Sequence, residues 1–104
     1  MSTITISIGR NVGGTPMSSV EWASFQRGVT TVIKPVASEV YFYGTGSGTW
    51  DGSGEESATW VFAASAWDVE AWHFTASLRL LATMFGQEAI ALTIGQTEMI
   101  VGMG

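Results

Sequence analysis

The sequence predicts one α+β domain of the ferredoxin-like split βαβ class (βαββαβ), an antiparallel sheet with two helices on one face. Three observations carry that reading. The hydrophobic periodicity switches between two and 3.6 in the order strand, helix, strand, strand, helix, strand, which is the split βαβ order. The two helices rhyme: Glu21 and Phe25 in the first have the spacing of Glu70 and Phe74 in the second. The chain has 104 residues, 46% of them hydrophobic, which suits a single packed domain over residues 1–104.

Residues 3–8 alternate, with Ile4, Ile6 and Ile8 on one side and Thr3, Thr5 and Ser7 on the other, the pattern of a half-buried strand. Residues 10–16 (RNVGGTP) read as a loop. Ser18 opens the first helix as a capping box with Glu21, flanked by Met17 and Trp22 as a hydrophobic staple. Trp22, Phe25, Val29, Val32 and Ile33 make its apolar stripe, Gly28 weakens it, and Pro35 ends it. Residues 40–43 (VYFY) form a short aromatic strand. Residues 44–57 are a Gly-rich connection or hairpin arm, in which an Asp51-Gly52 turn would set Tyr43 opposite Trp60. Residues 59–64 are a third strand and Asp68 caps the second helix. Gly86 stops that helix. Residues 88–94 are a fourth strand. A Gly95-Gln96 turn allows a short fifth strand over 97–101, pairing Leu92 with Met99. The open sheet face then carries Thr3, Thr5, Ser7, Ala89, Ala91 and Thr93, with Tyr41 and Tyr43 beside them.

The second helix holds the main functional clue. Ala71, Phe74, Leu78, Leu81 and Phe85 form one apolar stripe; Val69, Trp72, Ala76, Leu80 and Met84 form another. A surface helix normally carries one such stripe. The second therefore calls for a cover: another subunit, a partner, or a further layer of this chain. Val69, Trp72, Ala76, Leu80, Met84 and the neighbouring Trp67 are the candidate interface residues.

Composition narrows the function classes. Only 12% of residues are charged, and the net charge is -5. Scarce charge favours association. The four cationic residues, Arg10, Arg27, Lys34 and Arg79, are scattered, which argues against nucleic acid and anionic membranes. There is no cysteine, so disulfides and thiolate chemistry are out. The first residues lack the pattern of a secretory signal, and no stretch has membrane-spanning length without polar breaks. The expected location is the cytoplasm, or a host cytoplasm for a viral gene.

Candidate chemistry is thin. Gly44, Gly46 and Gly48 alternate with hydroxyl residues, but no Lys-Ser/Thr and no helix follow, so the run fails the phosphate-loop and dinucleotide patterns. Asp51, Glu55 and Glu56 cluster without metal-loop spacing, and neither metal nor cofactor is expected. His73 is the lone histidine, with Glu70 within one helical turn and no nucleophile to complete a triad. Trp50, Tyr43, His73 and Glu70 are the candidate ligand-binding residues; Trp22 and Trp60 read as core.

The runs TITISIG, GGTPMSSVEWASF, GTGSGTW, EES and MFGQEAIAL resemble an uncharacterised family of small bacterial proteins. Gly48, Trp50, Glu56, Ser57, Phe85, Gly86, Gln87 and Glu88 carry the likeness, and the Gly- and Trp-rich style is similar to actinobacterial phage proteins. The resemblance implies the same fold and transfers no catalytic residue. Three functions follow. The first is a non-enzymatic, homo-oligomeric interaction module. The second is a phage-encoded protein that sequesters a ligand or targets a host or defence factor through an aromatic small-molecule pocket. The third is a small cofactor-independent enzyme using His73. The partners expected are a second copy of the chain, a host protein or a small molecule.

Overall fold

The computed structural model describes residues 2–98 and 100–102. The strands are β1 (Ser2–Gly9), β2 (Asn11–Val12), β3 (Thr15–Pro16), β4 (Glu39–Trp50), β5 (Ser53–Ala64) and β6 (Ala91–Gly95). The helices are α1 (Ser19–Ile33) and α2 (Trp67–Met84). The main sheet has four strands in the order β4-β5-β1-β6, antiparallel throughout. Both helices lie on one face, as the split βαβ class requires. The predicted loop at residues 10–16 contains a two-strand ribbon, β2 with β3.

β1 is central because it alternates cleanly. Ile4, Ile6 and Ile8 are buried under the helices, while Thr3, Thr5 and Ser7 are only half-buried on the other face. Their partners follow the same parity: Ile4 faces Phe62, Ile6 faces Trp60, and Ile8 faces Ala58, all of them core. From α1, Trp22, Phe25, Val29 and Ile33 complete the core, and from α2, Trp67, Phe74 and Leu78 do so. The paired Phe25 and Phe74 of the two halves are both buried, so the sequence rhyme is a rhyme of core positions.

The helices touch through a gap in side-chain volume. A Cβ at Gly28 would stand 2.9 Å from Cδ2 of Leu81. Beside it Phe25 stacks on Phe85, centroids 4.8 Å apart. The glycine that weakens α1 as a helix thus lets α2 approach it. At the start of α1, Ser18 Oγ accepts the Glu21 N–H at 3.2 Å, as the capping box predicts. α2 starts two residues earlier than a cap at Asp68 predicts. Ala66 is its N-cap, no side chain caps it, and Asp68 lies in the first turn, where its charge suits the helix dipole. Gly86, at φ 66°, ends the helix in the left-handed region.

Of the two forms expected for the Gly-rich segment, the structure has the hairpin arm. Residues 44–57 are not a loose connection: β4 and β5 run as 12-residue strands paired to the tip. Asp51 (φ 51°) and Gly52 (φ 81°) form the two-residue turn, since paired positive φ values match the twist of a hairpin. A bulge between Val40 and Phe42 sets Tyr41 out of register. In consequence Phe42, not Tyr43, lies on the open face with Val61, and Tyr43 joins Trp60 on the helix side. The fourth strand starts later than predicted, at Ala91. The described residues 96–98 and 100–102 are not in strand, and the proposed Met99 pairing lies outside the described residues. Among the described residues, no helix is long and apolar enough to cross a membrane.

Candidate functional site

Two regions gather the residues singled out from the sequence. The first is the outer side of α2. Its inner stripe packs in the core, with Phe74 edge-on to Phe62 at 5.9 Å and to Trp67 at 5.4 Å. The other stripe faces outward: Val69 is 80% exposed, Trp72 75%, Leu80 62% and Met84 66%. Ala76 lies exposed among them. Among the described residues, no further layer of this chain covers that stripe. Trp67 is different. It is buried against Phe74 and belongs to the core, because the early start of α2 turns its ring inward.

His73 and Glu70 also sit on α2. His73 is exposed and lies edge-on to Trp72, ring centroids 5.0 Å apart. No hydrogen bond joins it to Glu70. Among the described residues, no group of three or more His, Asp or Glu side chains could hold a metal ion. Among the described residues, His73 has an aromatic neighbour and no acid–base partner.

The second region is a cleft of about 410 Å³ at the far end of the hairpin. It is lined by the hairpin tip at Thr49–Asp51, by the end of β1 and the residues that follow it, and by Gly86–Ala89. It is held together by reciprocal bonds. Trp50 Nε1 donates to Glu88 Oε2 at 3.4 Å, tying the hairpin tip to the segment before β6. Asn11 N–H donates to Glu55 Oε2 at 3.0 Å, and Asn11 Nδ2 donates to the Gly54 carbonyl at 3.3 Å. Gln87 Nε2 in turn donates to the Asn11 carbonyl at 3.1 Å. Its volume falls within the ~300–1,000 Å³ of small-molecule sites.

Of the four candidate ligand residues, only Trp50 lines this cleft. Tyr43 stands against Trp60, centroids 5.1 Å apart, and its hydroxyl donates to Gln26 Oε1 on α1. The predicted pairing of Tyr43 with Trp60 holds, and it gives Tyr43 a packing role. Sequence reasoning missed Asn11 and Glu88 as cleft residues and Phe42 as the open-face aromatic. Glu88 stood in the resemblance motif, so a signal existed; Phe42 was hidden by a bulge that leaves no mark in the residue pattern.

No family model matches the chain, and no curated protein matches its sequence. Solved structures do resemble it. A phage SAM lyase in complex with S-methyl-5′-thioadenosine matches with a TM-score of 0.59 at 18% identity, over 91% of this chain and 80% of that one. The apo state of a phage SAM lyase matches at 0.55 and 18% identity, over 89% and 78%. A DUF3240 family protein from Shewanella baltica OS155 matches at 0.61 and 8% identity, over 99% and 97%. At these identities the likeness establishes the fold.

Proposed function

We propose that this protein is a non-enzymatic interaction module that assembles with copies of itself, the outer stripe of α2 being the contact. One observation carries the reading: Val69, Trp72, Leu80 and Met84 are all more than half exposed on one helix side. Four large apolar side chains exposed together on one helix side make the kind of contiguous patch that marks an interaction site on a soluble protein. A charge-poor chain has little else to keep such a patch solvated. With four scattered cationic residues, it is proposed to engage neither nucleic acid nor membrane, and to work in the cytoplasm, a host's if the gene is viral.

Light scattering or native mass spectrometry at micromolar concentration tests it. An oligomer is expected, and Trp72→Glu or Leu80→Glu lowers its mass with an unchanged circular dichroism spectrum, because a buried unpaired charge opposes the contact. A monomeric wild type sinks the reading.

A second reading has its own support. The fold is shared with a phage SAM lyase bound to S-methyl-5′-thioadenosine, and the hairpin cleft has a tryptophan wall. In this reading the cleft binds a small adenosine-type ligand, with the ring on Trp50. A rise in melting temperature with S-methyl-5′-thioadenosine, lost in Trp50→Ala, is the expected result. An unchanged melt at millimolar ligand removes it.

A further inference from the structure

The two edges of the sheet are protected unequally. β6 is five residues long. β4 is 12 residues long and forms the opposite edge, so one side of its backbone has no strand partner. Natural edges of that length are blunted by charge, proline or irregularity, because an unpaired row of N–H and C=O groups templates another strand. Between Glu39 and Asp51, β4 has neither a charged residue nor a proline. Its one bulge lies at Tyr41, before a regular run from Phe42 onward.

That run is asymmetric in size. Its beginning is bulky: Phe42 and Tyr43 are half-exposed. Its continuation is small: Gly44, Gly46 and Gly48 alternate with Thr45 and Ser47, the chain's own Phe42 ring leans over Gly44, and the Ser57 hydroxyl lies beside Gly48. A Cβ at Gly46 would meet nothing within 4 Å, so there is open space above it. Such a strand complements itself when turned end for end. We propose that β4 pairs antiparallel with β4 of a second copy about a two-fold axis at Gly44, joining two four-stranded sheets into one of eight. Phe42 then faces Gly46 of the second copy, Tyr43 faces Thr45, and Gly44 faces its own counterpart.

Three arguments fix the occupant as a second copy. The backbone edge asks for an extended strand. The bulky half needs a strand with glycines opposite, and an aromatic across a strand glycine is a stabilising pair. The stretch between Glu39 and Asp51 carries no charge, so two copies meet there without like-charge repulsion from the residues that pair. Directly opposite residues share a sheet face in an antiparallel pair, so Phe42 and Gly46 meet on the open face without a register slip.

This inference rests on self-association and adds a contact distinct from the α2 one. Two such isologous contacts in one chain build a tetramer or an open assembly. Native mass spectrometry of the full chain separates them. Wild type is expected at four copies or more. Gly46→Lys, which the single chain has room for, leaves a dimer held by α2, whereas Trp72→Glu leaves a dimer held by β4, and the double variant is a monomer. Val20→Lys, on the exposed side of α1, retains the wild-type mass and shows that added charge alone is not the cause. A Gly46→Lys assembly of wild-type mass overturns the edge pairing and leaves the α2 reading standing. A Trp72→Glu assembly of wild-type mass, with Gly46→Lys monomeric, does the reverse. The register has its own test in a chain without cysteine. Facing residues lie about 4.5–5.5 Å apart between Cα atoms, within disulfide reach. Gly44→Cys, where a Cβ would stand 2.6 Å from Phe42 Cζ so that the ring must swing aside, is expected to form disulfide dimers at least tenfold faster than Thr49→Cys once each rate is divided by that thiol's rate with a small disulfide reagent. Equal rates overturn the axis at Gly44.

Discussion

The two sides of α2 have nearly the same chemistry and opposite environments. Phe74 and Leu78 are buried, whereas Leu80, two residues on, is 62% exposed. Hydrophobicity alone therefore does not decide what a residue does here; its angle around the helix does. The inner side is satisfied by β5 and α1. The outer side has similar residues and nothing from the described chain against it. The difference separates residues that hold the fold together from residues left exposed on the helix, which the proposed self-association would use.

Mutations on the two sides sharpen that division. Phe74→Ala is expected to cost most, about 3–5 kcal/mol in urea denaturation, because it empties a core site against Phe62 and Trp67. Gly28→Val comes next, at about 1–3 kcal/mol, since the added carbons must displace Leu81 at the α1–α2 crossing. Trp72→Ala is expected to change subunit stability by less than about 0.5 kcal/mol when measured below the assembly concentration, and to weaken association above it. A stability loss from Trp72→Ala matching that of Phe74→Ala would erase the distinction between the two sides.

Much of the fold was legible because local and tertiary signals agree. The alternation of Ile4, Ile6 and Ile8, the Ser18–Glu21 cap and the Asp51-Gly52 turn each satisfy local chemistry and the final sheet together. The misreadings arise where they part. Glycines at 44, 46 and 48 have poor strand propensity, yet pairing with β5 holds them extended. The bulge at Tyr41 breaks a period of two, and no pattern of side chains announces an extra residue. Trp67 and Trp72 look alike in sequence, and the helix start decides that one goes inward. Of the candidate site, the outer stripe of α2 was readable as a periodicity, while the cleft was not. The cleft joins residues 11, 50 and 88 by backbone and side-chain bonds between distant segments.

The hairpin turn has a kinetic consequence. Asp51 and Gly52 close the β4–β5 ladder across two residues, whereas β1 reaches β6 by joining Thr3 to Gly95. Short loops form in microseconds and distant pairings wait for chain closure. Pulse-labelled amides of β5 facing β4 should thus gain protection before those linking β1 and β6. For that interval the nascent ribbon exists without its neighbours, and β5 presents an open edge that β1 later closes while that of β4 stays open.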